Sequence, residues 1–278
     1  MSLTVGNGPF GKQPAGRFNF EIEPPPGRLL FWEEAPYRVR AFFGRKLLAD
    51  SRHVKLLYET GYLPIWYFPE EDLRADLLEP SAKSTHCPYK GDASYRSIRV
   101  GDRVAEAAVW SYPQPLESAP FLAGHAAFVW DAIDEWFVED EQAFGHPRDP
   151  YHRIDVYPTT RRVRVSLDGE LLAESSRALM LVEAALPPRH YLPQDDVRME
   201  LLVASATKTR CAYKGSASYW HARVGDRLEE DVVWTYREPQ HDALAVRDLL
   251  CFFDERVDVE LDGERAERPH TQWSRSSR

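Results

Sequence analysis

Two segments place a thiol, a cation and aromatic rings at matching short spacings. In the first, Cys87, Tyr89 and Lys90 form Cys-x-Tyr-Lys-Gly, and Tyr95, Trp110 and Tyr112 follow; in the second, Cys211, Tyr213, Lys214, Tyr219, Trp234 and Tyr236 stand at the same spacings. From Cys87 to Tyr112 and from Cys211 to Tyr236, 16 of 26 residues are identical at an offset of 124. A lysine at a strand start beside aromatics can hold a carboxylate or phosphate as a point charge. Desolvated, it can also lose its proton and act as a base or Schiff-base amine. The competing reading of Lys90 and Lys214 is a surface lysine entering a turn, with Gly91 and Gly215 supplying the backbone angle. A nearby ammonium would favour the thiolate of Cys87 and Cys211; the alternative is a small buried hydrophobe. His86 adjoins Cys87, but Arg210 takes its place in the second segment, so no Cys-His nucleophile is common to both. Residues two apart on a strand share a face. Trp110 with Tyr112, and Trp234 with Tyr236, therefore line either a pocket that stacks a flat or cationic ligand or a sheet core. Glu59 and Glu183 follow apolar runs and read as strand-end carboxylates, with acid or base work as the alternative if they are half-buried. Cys251 stands where the first copy has Ala127 and is assigned to the core.

The offset of 124 runs without a gap from Arg38-Val39-Arg40 and Arg162-Val163-Arg164 to Phe128 and Phe252. A period this long is a duplicated domain, not a solenoid, whose units run to roughly 20–50 residues. The expected organisation is an N-terminal arm (1–36), copy one (37–144), a Gly/Pro-rich linker (145–160), copy two (161–268) and a tail (269–278). Two like domains in one chain are expected to pack as an intramolecular pseudo-dimer. Within a copy, alternating segments predict strands at 162–167, 66–69, 93–100, 103–112 and 135–139 and at their counterparts. Asp168-Gly169 and Gly101-Asp102 mark hairpin turns. Segments 54–59 and 178–183 fit a strand or a helical turn. The acidic starts of 70–78 and 194–202 predict a short helix, and 81–86 and 205–210 read as polar loops.

Across 278 residues, 43% are hydrophobic and 28% charged, the balance of a globular chain. The net charge of -9 makes a poor general binder of nucleic-acid backbones. No apolar run is long enough for a membrane span, and the N-terminus lacks a signal-type apolar core. Three dispersed cysteines without Cys-x-x-Cys give no zinc motif and suit a reducing cytoplasm. No Ser-His-Asp arrangement recurs, so no metal and no cofactor is expected.

The order of these motifs resembles the DUF427 family of bacterial and fungal proteins, here in tandem. A strand pair ending in Ala-Asp/Glu-Ser leads to Tyr-x-Pro-x-x-Asp, then Cys-x-Tyr-Lys-Gly-x-Ala-x-Tyr and Trp-x-Tyr-x-x-Pro. Copy two matches better, through Tyr219-Trp220 and Phe252-Phe253-Asp254; copy one has Arg96 and Trp130 at the corresponding places. The resemblance implies a mainly-β, β-tent-like fold, two small antiparallel sheets leaning together with one or two short helices per copy. A nucleotidyltransferase label attached to the family implies that activity, but neither its Gly-Ser and paired-carboxylate motif nor a P-loop stands here. The expectation is a cytosolic protein binding a small anionic or aromatic ligand, with or without metal-independent catalysis, at one site per repeat. The alternative is an interaction module in which the repeated motif is architectural.

Overall fold

The computed structural model describes residues 3–6, 8–14, 16, 28–184, 186–271 and 273–274. The chain divides into two compact units, Ser2–Asp149 and Pro150–Arg278. The mainly-β, two-copy architecture expected from the repeat is the one observed.

Among the described residues the first unit has eleven strands. They are β1 (Leu30–Glu34), β2 (Val39–Phe43), β3 (Lys46–Ser51), β4 (Lys55–Glu59), β5 (Tyr62–Pro69), β6 (Leu78–Cys87), β7 (Gly91–Val100), β8 (Arg103–Ser111), β9 (His125–Phe128), β10 (Glu135–Val138) and β11 (Glu141–Ala143). A seven-stranded sheet runs β1-β4-β5-β9-β8-β7-β6, and a four-stranded sheet runs β11-β10-β2-β3. The second unit repeats the plan with β12 (Ile154–Pro158), β13 (Val163–Leu167), β14 (Glu170–Ser175), β15 (Leu179–Glu183), β16 (Arg189–Leu192), β17 (Leu202–Cys211), β18 (Gly215–Val224), β19 (Arg227–Pro239), β20 (Leu250–Phe252), β21 (Asp258–Leu261) and β22 (Glu264–Arg265). Its sheets run β12-β15-β16-β20-β19-β18-β17 and β14-β13-β21-β22.

Period-two patterning sorts the side chains of the large sheet onto two faces. In the first unit Leu56, Tyr58, Trp66, Phe68, Val109 and Phe128 pack with Val39, Ala41 and Phe43 of the small sheet. The intervening Leu57, Tyr67, Ala93, Tyr112 and Ala127 turn to the opposite face. That face is covered by Ala119, Phe121 and Leu122, at and beside a 3-10 turn. In the second unit Leu181, Tyr191, Ala217, Trp234, Tyr236 and Cys251 hold the corresponding face, with Ala243 and Val246 over them.

Several expectations are corrected. Segments 54–59 and 178–183 settle as strands β4 and β15. The expected helices over 70–78 and 194–202 are instead pairs of isolated 3-10 turns, Glu70–Asp72 with Ala75–Leu77 and Gln194–Asp196 with Met199–Leu201. An interval of a few residues cannot offset the cost of nucleating an α-helix. The polar loops 81–86 and 205–210 are the outer halves of β6 and β17, each bulged, at Pro80/Ser84 and Ala204/Lys208. Their polarity is that of strands at a sheet edge. The arm and the linker each give a strand to a large sheet, β1 on β4 and β12 on β15. The arm's Pro24-Pro25-Pro26 lies outside the described residues. Ahead of it, Thr4 is buried and its carbonyl accepts from Gly61 N at 2.8 Å.

Candidate functional site

Lys90 stands in the turn between β6 and β7, and Glu59 ends β4. Both are buried, at 7% and 4% exposure. Lys90 Nζ donates to Glu59 Oε2 at 2.7 Å, and Arg28 Nη1 donates to Glu59 Oε1 at 2.6 Å. Arg28 also donates to the Tyr62 hydroxyl at 3.1 Å and lies over the rings of Tyr62 and Tyr89. The Lys90 ammonium sits 5.7 Å from the centre of the Tyr112 ring.

The second unit builds the same centre at positions 124 further on. Lys214 Nζ donates to Glu183 Oε2, and His152 Nε2 lies 3.1 Å from Glu183 Oε1. His152 stacks on Tyr213 with ring centres 4.0 Å apart. The separation along the chain is 31 residues for each contact: Arg28–Glu59, Glu59–Lys90, His152–Glu183 and Glu183–Lys214.

The backbone explains the Lys-Gly pair. Gly91 and Gly215 have φ of +100° and +92°, a region closed to most side chains. A Cβ on Gly91 would stand 3.3 Å from Gln114 O, and one on Gly215 3.0 Å from Glu238 O. The covering loops come this close because Leu116 N donates to Lys90 O and Gln240 N to Lys214 O. Each lysine is thereby pinned between its strand turn and the loop that roofs the face.

Electrostatics follow from burial. Burial works to raise the Glu183 carboxyl, but the His152 hydrogen bond and the Lys214 ammonium outweigh it and hold it below the usual carboxylate range. Burial, with Cys87 and Glu59 nearby, pushes the Tyr112 phenol above its ordinary value. Tyr236 is raised in the same way by burial, Cys211 and Glu183.

The structure therefore gathers Cys87, Lys90 and Tyr112 around Glu59, and Cys211, Lys214 and Tyr236 around Glu183. Neither lysine is the surface residue of the alternative reading: each is buried and already engages an internal carboxylate. Glu59 and Glu183 do end strands, β4 and β15, but both are buried. Trp110 and Trp234 give their indole N–H to the hydroxyls of Tyr67 and Tyr191, each at 3.2 Å, and pack edge-on against those rings. They bed the face instead of lining an open pocket. Tyr95 and Tyr219 reach outward to Thr85 and Thr209 on the edge strands, at 3.0 and 2.7 Å. Tyr89 carries Arg28, whereas Tyr213 is buried under His152. Cys87 and Cys211 are half-buried, and Cys251 is fully buried.

Sequence reasoning missed Tyr67 and Tyr191, although both stand in the repeated Tyr-x-Pro. It also missed Arg28 and His152, whose types differ between copies and so carry no repeat signal. Among the described residues no group of His, Cys, Asp and Glu is arranged to hold a metal ion, and no helix is long and apolar enough to cross a membrane.

A family model described as a domain of unknown function, DUF427, matches residues 32–139 and again 155–263. The chain belongs to the DUF427 family. Both DUF427 matches enclose a glutamate, a lysine and the tyrosines of one centre, while Arg28 and His152 stand just ahead of them. No curated protein matches the sequence.

Proposed function

We propose that each DUF427 repeat binds a small molecule at its Glu–Lys centre, with an anionic group on the lysine and a flat or apolar part against the tyrosines. One observation carries the reading: the same buried ion pair recurs in both repeats with donors to spare. Among the described residues, Glu59 is the hydrogen-bond partner of Lys90 Nζ, and Glu183 that of Lys214 Nζ. An ammonium carries further N–H groups. The hydroxyls of Tyr112, beside Lys90, and of Tyr236, near Glu183, make no hydrogen bond to a described residue. Burying an ion pair rarely adds stability over an apolar pair of like volume, so a repeated, unsaturated pair fits recognition better than scaffolding. Arg28 adds a permanent charge to the first centre; His152 fills that place in the second.

The test is thermal stabilisation by a panel of small monocarboxylates that carry a flat or apolar part, because a ligand that prefers the native state raises the midpoint. Saturable shifts are expected in the native protein. They should vanish when Lys90→Met/Glu59→Gln and Lys214→Met/Glu183→Gln are combined, a change that removes both members of each Lys–Glu pair together. No shift from any compound, or a shift that survives in the combined variant, overturns the reading.

A further inference from the structure

We propose that the second repeat carries a separate site for a small multivalent oxyanion, such as a polycarboxylate or phosphate ester. It lies between the C-terminal tail and the small sheet, in a cleft of about 280 Å3 that Arg227, Arg256, Arg268 and His270 line together with Asp168 and Glu255.

Hydrogen-bond accounting gives the sign of the ligand. The buried carboxylates at the cleft, Glu255 and Glu229, are engaged on both oxygens. Glu255 receives Arg189 on both oxygens, at 2.6 and 2.9 Å, and Thr271 at 2.6 Å. Glu229, fully buried, receives Arg256 on one oxygen and Arg227 on the other. Asp168 is bound by Arg227. The guanidiniums keep donors in reserve. Arg268 donates only through Nη2, to Asp258 at 2.8 Å, so its Nε–H and Nη1–H have no partner among the described residues. Arg227 donates through Nη1 and Nη2 and leaves its Nε–H. Charge points the same way. Asp258 is shared by Arg265 and Arg268, and Glu229 by Arg227 and Arg256. Of the charged groups that line the cleft itself, three are guanidiniums and two are carboxylates, before His270 is counted. Planar guanidinium forks are the groups best shaped for carboxylate and phosphate oxygens.

The feature belongs to one repeat. At the positions 124 earlier, Ala105 and Ala132 stand for Glu229 and Arg256, while Arg103, for Arg227, is kept. The buried Glu229 clamp costs desolvation, and its effect is to hold Arg227 and Arg256 at the cleft.

Calorimetric titration of the full chain with citrate at fixed ionic strength tests the site. Saturable binding is expected, weakened about tenfold or more by Arg268→Glu or by Arg268→Ala with His270→Ala. Arg223→Glu, an equal charge change at an exposed position elsewhere in the repeat, should leave it intact. Absence of saturable binding at millimolar citrate, or equal weakening by Arg223→Glu and Arg268→Glu, overturns the proposal.

Discussion

At the scale of single residues, the Lys–Glu centre is costly to break and cheap to replace. Lys90→Met leaves Glu59 buried with only Arg28 beside it, and should cost about 3 kcal/mol in urea unfolding. Lys90→Met combined with Glu59→Leu should recover most of that loss, so the two changes are far from additive. Asp254 behaves oppositely to Glu183. Burial pushes its carboxyl up to about 6, only partly opposed by Arg189. A free Asp ionises near 3.9, so the folded state holds this proton more tightly than the unfolded one. The Asp254 contribution is therefore favourable at low pH and is lost as pH rises from about 4 to about 6. Asp254→Asn should remove that slope and stabilise the second repeat at neutral pH by about 1–2 kcal/mol. Glu183, held low, has the reverse sign: its stabilisation is present above the ordinary carboxylate pKa and is lost as pH falls through its depressed value. Urea midpoints of native protein and variant at several pH values separate the two. Alkylation separates the thiols: Cys251 is fully buried and its thiol pushed up by that burial, so it should label only on unfolding, after Cys87 and Cys211.

At the scale of elements, the turns that carry the lysines are set by close approach as much as by backbone angle. Gly225 also has positive φ, +56°, but a Cβ there meets nothing within 4 Å. Gly225→Ala should thus cost only the left-handed penalty, about 1–2 kcal/mol. Gly215→Ala adds a backbone clash with the covering loop at 3.0 Å. It should cost clearly more and displace Lys214, a difference that paired denaturation curves would show. The edge strands illustrate a different control. Ser84, Thr85 and His86 pair with Ser94, Ala93 and Asp92, although their composition is that of a loop. At a sheet edge, solvent replaces one neighbour and polar side chains are favoured.

At the scale of the whole molecule, the strand pairings among the described residues close within one repeat, and each repeat has its own core on both faces of its large sheet. Residues 2–149 and 150–278, expressed separately, should each unfold cooperatively on heating. Loss of the transition in either fragment would show that the repeat depends on its neighbour. The repeats also differ in charge. Ile65 of the first is Arg189 of the second, and Trp130 is Asp254. Trp66, which packs on Trp130 in the first repeat, is His190 in the second, whereas Arg189, at the position of Ile65, pairs with Glu255 and Asp254.

The duplication, its offset, the alternating strands, the hairpin glycines and the residue types of the site are legible in the order of residues alone. These are local patterns or self-comparisons, and neither needs a partner element to be read. The pairing of Lys90 with Glu59 and of Lys214 with Glu183 was decided only by the tertiary structure. Each pair joins a strand end to a turn 31 residues away, and the sheet order sets such contacts without a local signal. Strands β1 and β12 were hidden for a related reason. Their copies differ in sequence, as Leu30-Phe31-Trp32 and Ile154-Asp155-Val156 do, and both become strands because β4 and β15 offer them an open edge. The same docking brought Arg28 and His152, unlike in type, to the same place beside a buried glutamate.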